Sequence, residues 1–444
     1  MQKKIANWGN FPVMESNEQQ FSNLKELSRI VSNSSSAIAR GNGRCYGDAS
    51  LGEVTISTLR YNKILSFDKT GGILECQSGV TLDQILEVIV PAGWFLPVTP
   101  GTKFVTLGGV VASDVHGKNH HVDGSFSRHV IELTLMVSSG EVIRCSRDKH
   151  PDLFEATCGG MGLTGVIISV KFNLKKIASS YISETKIRAE NLEELLDLFE
   201  QNKDFTYSVA WIDCLKKGKG FGRSLLMLGE HASPAALSKK QLAAGALALP
   251  AKKSVTFPVN LPSWALNNLT VRAFNFLFYH KNIRKVKKSV IPYEPFFYPL
   301  DAILHWNRGY GKKGFVQYQF VLPVEQKKGL VTILNKISEK GWGSFLAVLK
   351  IFGEQSDLIS FPTKGYTLAL DFPVRAGLFD FLEELDQVVL EHGGRLYLSK
   401  DARMKSGTFW KGYEHSQDFS KILSKYNPEK KFRSIQSNRL AITN

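Results

Sequence analysis

Three glycine clusters lie before residue 170: ARGNGRCYGD (39–48), TPGTKFVTLGGVVAS (99–113) and CGGMGLTGVI (158–167). Clusters this dense constrain the chain more than any other feature. They are loops with little Cβ cover, whose backbone N–H groups can approach a bound group closely. The first contains G-x-G-x-x-x-G, close to the dinucleotide fingerprint. No long apolar helix follows it, and no second strand ends in an acid at the expected distance, so a Rossmann unit is excluded. No Walker A sequence is present. One such loop would read as an ordinary turn. Three of them, with GTKFVTLGG, read as a backbone cradle for a diphosphate.

A chain of 444 residues is too long for one ordinary core, so two or three domains are expected. Hydrophobic residues at 43% and charged residues at 22% are those of a globular protein, not a disordered one. Up to about residue 178, short segments alternate between glycine loops. NEQQFSNLKELSRIV has helical spacing, SAIA reads as a short strand, and LDQILEVIVPAG as a helix stopped by Pro and Gly. HVIELTLMVSSGEVIRCS reads as two strands joined by a Ser-Ser-Gly turn, and GVIISVKFNL as a buried strand. From 179 to 394 the strands lengthen. The helices NLEELLDLFEQ and QKKGLVTILNKISEK each precede strand-like sequence, FTYSVAWIDC and GSFLAVLKIFG, which predicts a duplicated α+β unit. A tail from 395 to 444 carries its own helices. The expected fold class is α+β.

The net charge of +15 is localised. From His231 to Tyr293 there is no Asp or Glu, but there are Lys239, Lys240, Lys252, Lys253, Arg272, Lys281, Arg284, Lys285, Lys287 and Lys288. These alternate with apolar runs such as LPSWALNNLTVRAFNFLFYH, as expected of a segment lying on an anionic membrane. Nucleic acid is not expected, because no recognition motif accompanies the charge. Cys45, Cys76, Cys145, Cys158 and Cys214 are few, scattered and without a CxxC pair, which fits a reducing compartment. There is no signal-peptide pattern, and no apolar run reaches the roughly 18 residues of a spanning helix. The expected location is cytoplasmic and peripheral, at the inner membrane face.

ARGNGRCYGD, TPGTKFVTLGGVVASDVHGKNHH, GGMGLTGV, VQYQF, FLAVLKIFG and RLYLSKDAR, in that order, resemble the flavin oxidases of the vanillyl-alcohol-oxidase superfamily. Within it they are most similar to the decaprenylphosphoryl-ribose 2-oxidases. The resemblance implies a bipartite, PCMH-type FAD-binding domain (1–178, completed by 395–444) and an α+β substrate-binding domain with an antiparallel sheet (179–394, with the basic insertion at about 231–293). It implies that Ala39, Arg40, Gly41, Asn42, Gly43, Arg44, Cys45, Tyr46, Gly47, Asp48 and Ala49 wrap the FAD diphosphate. Gly101, Thr106, Leu107, Gly108 and Gly109 would continue the cradle, with Ser113, Asp114, Val115 and His116 along the flavin. Val166 and Tyr397 would complete it. Many relatives bond a histidine of the first loop to the flavin. The matching position here holds Arg44, which cannot form that bond, so non-covalent FAD is implied.

The same resemblance puts Lys400 beside the reacting hydroxyl, with Gln317 and Lys350 as further catalytic candidates. Lys118, Tyr46, Gln319 and His116 would line the substrate pocket. Residue chemistry alone leaves other readings open. Gln317 and Gln319 share one face of a strand, which reads equally as a wet face, and the lysines suit strand ends. His116 and His120 are four apart, as in a helical metal pair, but Gly117 between them marks a loop, so no metal is expected. Some relatives carry Asn and Cys where KGYTLALDFPV has Thr367 and Ala369, so a pocket thiol is not expected. The implied reaction is oxidation of a polyprenyl-phosphoryl pentose at its 2-hydroxyl, with a short-chain dehydrogenase/reductase completing an epimerisation. The alternatives are a soluble sugar-alcohol or aldonolactone oxidase and a non-enzymatic adaptor.

Overall fold

The computed structural model describes residues 2–249, 254–262, 266–355 and 357–443; Lys252 and Lys253 lie outside them. The amino-terminal region holds two small sheets. In the first, the hairpin Gln2–Ala6/Val13–Gln20 continues in parallel through Val54–Ser57 to Ile38–Arg40. The second is antiparallel, in the order Ile64–Asp68, Ile73–Gln77, Val166–Asn173, Val130–Met136, Val142–Cys145.

Local chemistry sets most of these bounds. Thr81 forms a capping box with Gln84 and starts the helix Leu82–Ile89, and Gly93, left-handed at φ 83°, ends the 3₁₀ turn that follows. One expectation needs correction. The helical spacing begins at residue 17, yet Val13–Gln20 is a strand and the helix is Leu24–Asn33. Asn23 caps it by accepting from Glu26 N at 3.0 Å. The preceding residues instead pair with strands on both sides, and a sheet that satisfies their backbone outweighs local propensity.

The second region is one antiparallel sheet of eight strands. Its order is Val286–Pro292, Tyr181–Ala189, Ser224–His231, Tyr207–Ile212, Val348–Phe352, Gly365–Pro373, Phe315–Pro323, Arg395–Leu396. The duplication read from the sequence is visible here. Each half runs strand, helix, strand, strand, with helices Leu192–Gln201 and Lys327–Lys340. The halves meet where Ala210 pairs with Leu349 and Trp211 with Val348.

Strand alternation divides the sheet into two faces. Ala210, Leu226, Leu228, Tyr318, Phe320, Leu349, Leu368 and Leu370 pack with the helix residues Leu195, Phe199, Ile333 and Leu382 in one core. Gln317, Gln319, Lys350, Thr367 and Asp371 fall on the opposite face.

The tail begins in the second region, where Arg395–Leu396 pairs with Val321 and Phe320, and only then returns to the amino-terminal region. Phe432 bridges to Ala37, and Asn427 donates to Leu163 O at 3.2 Å. All five cysteines are free thiols. Among the described residues, no helix is long and apolar enough to cross a membrane.

Candidate active site

The three glycine segments converge. Asn42 of the first donates to Phe104 O of the second at 2.8 Å. A Cβ on Gly41 would lie 2.1 Å from Thr106 Oγ1, so glycine is what lets these two loops touch. The third segment joins through Gly159 N and Met161 N, which donate to Val111 O and Ala112 O. Gly47 is equally constrained: a Cβ there would meet Asp401 O at 1.7 Å. Leu107 is fully buried as an anchor, Gly108 lies against Ser78, and Gly109 is near Thr106 Oγ1 alone. Beside Gly101 a Cβ would have open space.

Several expected cofactor residues act here through the protein. Arg40 donates to Asn7 Oδ1 and Ala6 O, holding the first loop from behind. Arg44 stacks over Trp8, 4.1 Å from the ring centre. Cys45 Sγ lies 3.3 Å from Ser50 Oγ, and Ala49 is buried. Asp48 is paired with Arg439. Gly43 adopts φ 58°, where an L side chain would be strained. Val166 begins a buried strand paired with Met136.

Asp114, at φ 36°, is fully buried and accepts from Ser125 Oγ, Ser127 N, Gln355 Nε2 and Ser360 Oγ. These bonds lock the turn Ser113–His116. Val115 is buried within it, and Tyr397 OH donates to Ser113 O at 3.0 Å.

His116 is buried among Phe352, Phe361 and Tyr397. Burial, together with the charges of Lys350, His120 and Lys400, holds its pKa well below the ordinary histidine value. The ring is therefore neutral. Gln319 Nε2 donates to its Nε2 at 3.1 Å, which puts the proton on Nδ1, a buried atom with no partner. His120 differs: its Nε2 meets Gln355 Oε1 at 2.9 Å and its Nδ1 accepts from Gly353 N at 3.2 Å. Burial lowers its pKa to about 4.

Three lysines gather over the polar face of the sheet. Burial lowers Lys350 to about 7, and the charges of Lys400 and Lys118 push the same way. Lys118 is lowered to about 7 by burial, and its Nζ donates to Phe296 O. Lys400 lies over the Tyr46 ring, 3.9 Å from its centre. Burial lowers it to about 8, with the charge of Asp371 holding it up.

Asp371 is the residue that sequence reading missed. It is 1% exposed, and burial raises its pKa to about 7. Gln317 Nε2 donates to one of its oxygens at 2.6 Å and Tyr310 OH to the other at 3.3 Å. Its signal was in view: an acid inside the apolar run LALDFPV, two residues past Ala369 on the same face. Thr367 accepts from Gln319 at 3.2 Å, and Ala369 lies opposite Gln319.

Residues 21–146 match the FAD binding domain family. The chain is 34% identical to decaprenylphosphoryl-β-D-ribose oxidase of Mycolicibacterium smegmatis, over 99% of this chain and 98% of that one. The chain belongs to the decaprenylphosphoryl-β-D-ribose oxidase family. It is thus an FAD-dependent oxidoreductase with the PCMH-type α+β fold. An uncharacterized protein of the mprA 5′ region of Streptomyces coelicolor is 32% identical over 82% of this chain and all of its own length. Mouse L-gulonolactone oxidase is 30% identical over 31% of this chain and 30% of its own.

The residues present fit FAD. Gly41 and Gly47 bring the first segment's backbone against Thr106 and Asp401, and His116 Nδ1 in the turn 113–116 is a buried polar atom with no protein partner. The lysines supply positive charge beside it.

Proposed function

We propose that the chain oxidises a polyprenyl-phosphoryl pentose, of the decaprenylphosphoryl-ribose kind, at its 2-hydroxyl to the 2-keto sugar. The step would be the first half of an epimerisation, completed by a short-chain dehydrogenase/reductase, at the cytoplasmic face of the inner membrane. The observation that carries this reading is the gathering of Lys118, Lys350 and Lys400 with Gln317 and Asp371 on one sheet face. Lys118 and Lys350, partly desolvated, suit a substrate phosphate, Lys400 is left for the reacting hydroxyl, and the amide row suits sugar hydroxyls. End-to-end likeness to the Mycolicibacterium enzyme supports the same substrate class. The likeness to L-gulonolactone oxidase, by contrast, spans less than a third of the chain.

FAD, when bound non-covalently, supplies the two-electron acceptor. The chain's own residues handle position and proton. Gln317 and Gln319 orient the ring, the latter fixed by His116 and Thr367. Lys400, with a pKa near the working pH, takes the proton that leaves the hydroxyl, and Asp371 tunes it. The aromatic wall of Phe352, Phe361 and Tyr397 keeps water from the reacting carbon.

The test is anaerobic. A panel of polyprenyl-phosphoryl sugars is added to purified FAD-loaded protein, and flavin bleaching is followed. Decaprenylphosphoryl ribose should bleach the wild type. Lys400→Ala should retain FAD but lose bleaching. Bleaching at near wild-type rate in that variant would remove Lys400 from its role, and bleaching by free aldonolactones alone would replace the substrate class.

A further inference from the structure

Among the described residues, twenty large apolar side chains are markedly exposed, and twelve of them lie between 242 and 303. The centre of this patch is the helix Asn268–His280. Its inner face is accounted for. Val271, Asn275 and Tyr279 are buried, Asn275 donates to Asp213 at 2.8 Å, and Phe278 packs edge-on against Trp211. Its outer face should then be polar. Instead it carries Leu269 at 76% exposure, Phe276 at 54% and Leu277 at 68%, followed by Ile283 at 83%. A helix apolar on both faces has its second face in something other than water.

Charge decides what that is. No acid occurs between His231 and Tyr293. The exposed Arg272, Lys281, Arg284, Lys287 and Lys288 ring the apolar stripe, two of them on the edge strand Val286–Pro292. A second copy of the same face would bring cation against cation with no acid to answer it, so an isologous dimer is disfavoured. An anionic bilayer answers both features, with apolar side chains in the acyl boundary and cations at the headgroups. At 13 residues the helix is about 20 Å long, too short to span a bilayer and suited to lying in its surface.

Residues at the start of this helix and Asp371 line the same small cavity, of about 10 Å³. Leu266, Val271, Tyr310 and Phe345 line it, with Arg375 among them. Asp371 is the carboxylate that Gln317 holds at the candidate active site.

We propose that the helix Asn268–His280 and the adjoining strand dock the protein on an anionic membrane, so that a lipid-linked substrate is met at the bilayer surface rather than from solution. This rests on the lipid-phosphate reading above and adds the element that delivers it. It is tested with the full FAD-loaded chain and two kinds of vesicle, phosphatidylcholine alone or with phosphatidylglycerol. Wild type should pellet with the anionic vesicles only, and less in high salt. Phe276→Ser with Leu277→Ser should weaken that partition on the order of tenfold, as should Lys287→Glu with Lys288→Glu. Both variants should keep FAD and wild-type bleaching by a short-chain, detergent-free analogue, and lose rate only with long-chain substrate in vesicles. Failure of wild type to pellet, or variants that pellet as well as wild type, would overturn the docking surface. So would a wild-type dimer that the Ser variant dissociates. Loss of short-chain bleaching in wild type would instead sink the substrate reading.

Discussion

Gln317 and Asp371 face each other across adjacent strands, and the amide donates to the carboxylate at 2.6 Å. With Tyr310 on the other oxygen, Asp371 is held in a buried place where ionisation is costly. Lys400 is the cation whose charge favours that ionisation, and the carboxylate favours protonated Lys400 in return. The two groups titrate within reach of each other and of neutral pH.

The bleaching rate should therefore rise with pH through a limb near 8, as Lys400 loses its proton. Asp371→Asn removes the charge that holds the Lys400 pKa up. The limb should move toward lower pH, by on the order of one unit. Stopped-flow bleaching across pH 6 to about 10 reads it. A limb that does not move would show that the carboxylate leaves Lys400 untouched.

Lys350 illustrates function set against stability. Its pKa falls from 10.5 to about 7 on folding, for burial first and then for Lys400 and Lys118. Between those values the unfolded chain binds a proton that the folded chain does not. The lysine thus costs stability at pH 7, and the cost fades as pH rises toward the unfolded value. Lys350→Met should raise the thermal midpoint at pH 7, by roughly 1–3 kcal/mol in stability, with the gain shrinking near pH 10. Substrate bleaching should fall at the same time. Paired melts at the two pH values check the sign.

Arg44, lodged over Trp8 at 4.1 Å, is the residue that the resemblance sets at the flavin-bonding position, and a guanidinium cannot form that bond. Acid precipitation should then release the yellow colour to the supernatant. Colour retained in the washed pellet would refute a detachable flavin.

Much of this was legible in the residues. The glycine clusters marked the loops because close approach leaves no alternative to glycine, as Gly41 and Gly47 show. The duplicated helix–strand pattern gave the two halves of the sheet because period and length survive burial. Alternation put Gln317 and Gln319 on one face. The strand at Val13–Gln20 was not legible, since its reason for being a strand is its partners, not its own composition. Nor were the roles of Asp114 and Gln355. Their shared bond spans 241 positions, and no local pattern reports a contact made at that range. Asp371 was legible in principle as a charge inside an apolar strand. Its use depends on Lys400 and Tyr310, which other segments deliver.

Arg439 gives the last prediction. Its guanidinium donates to Asp48 at 2.8 and 3.1 Å and to Asp401 at 2.8 Å. Asp48 ends the first glycine cluster, and Asp401 follows Lys400. One side chain from the tail thus ties the cofactor loop to the lysine that would face substrate. Both carboxylates are buried, so Arg439→Met leaves two charges without their cation, at a cost of about 3–5 kcal/mol. The loss should shrink toward pH 5 or so, because the stranded carboxylates can then take up protons. FAD should also leave sooner on heating than it does from wild type. A ramp that follows flavin fluorescence beside the protein's own unfolding signal separates the two effects. If unfolding comes earlier while FAD still departs only with unfolding, Arg439 supports the fold alone; if FAD departs first, the tail holds the cofactor loop closed.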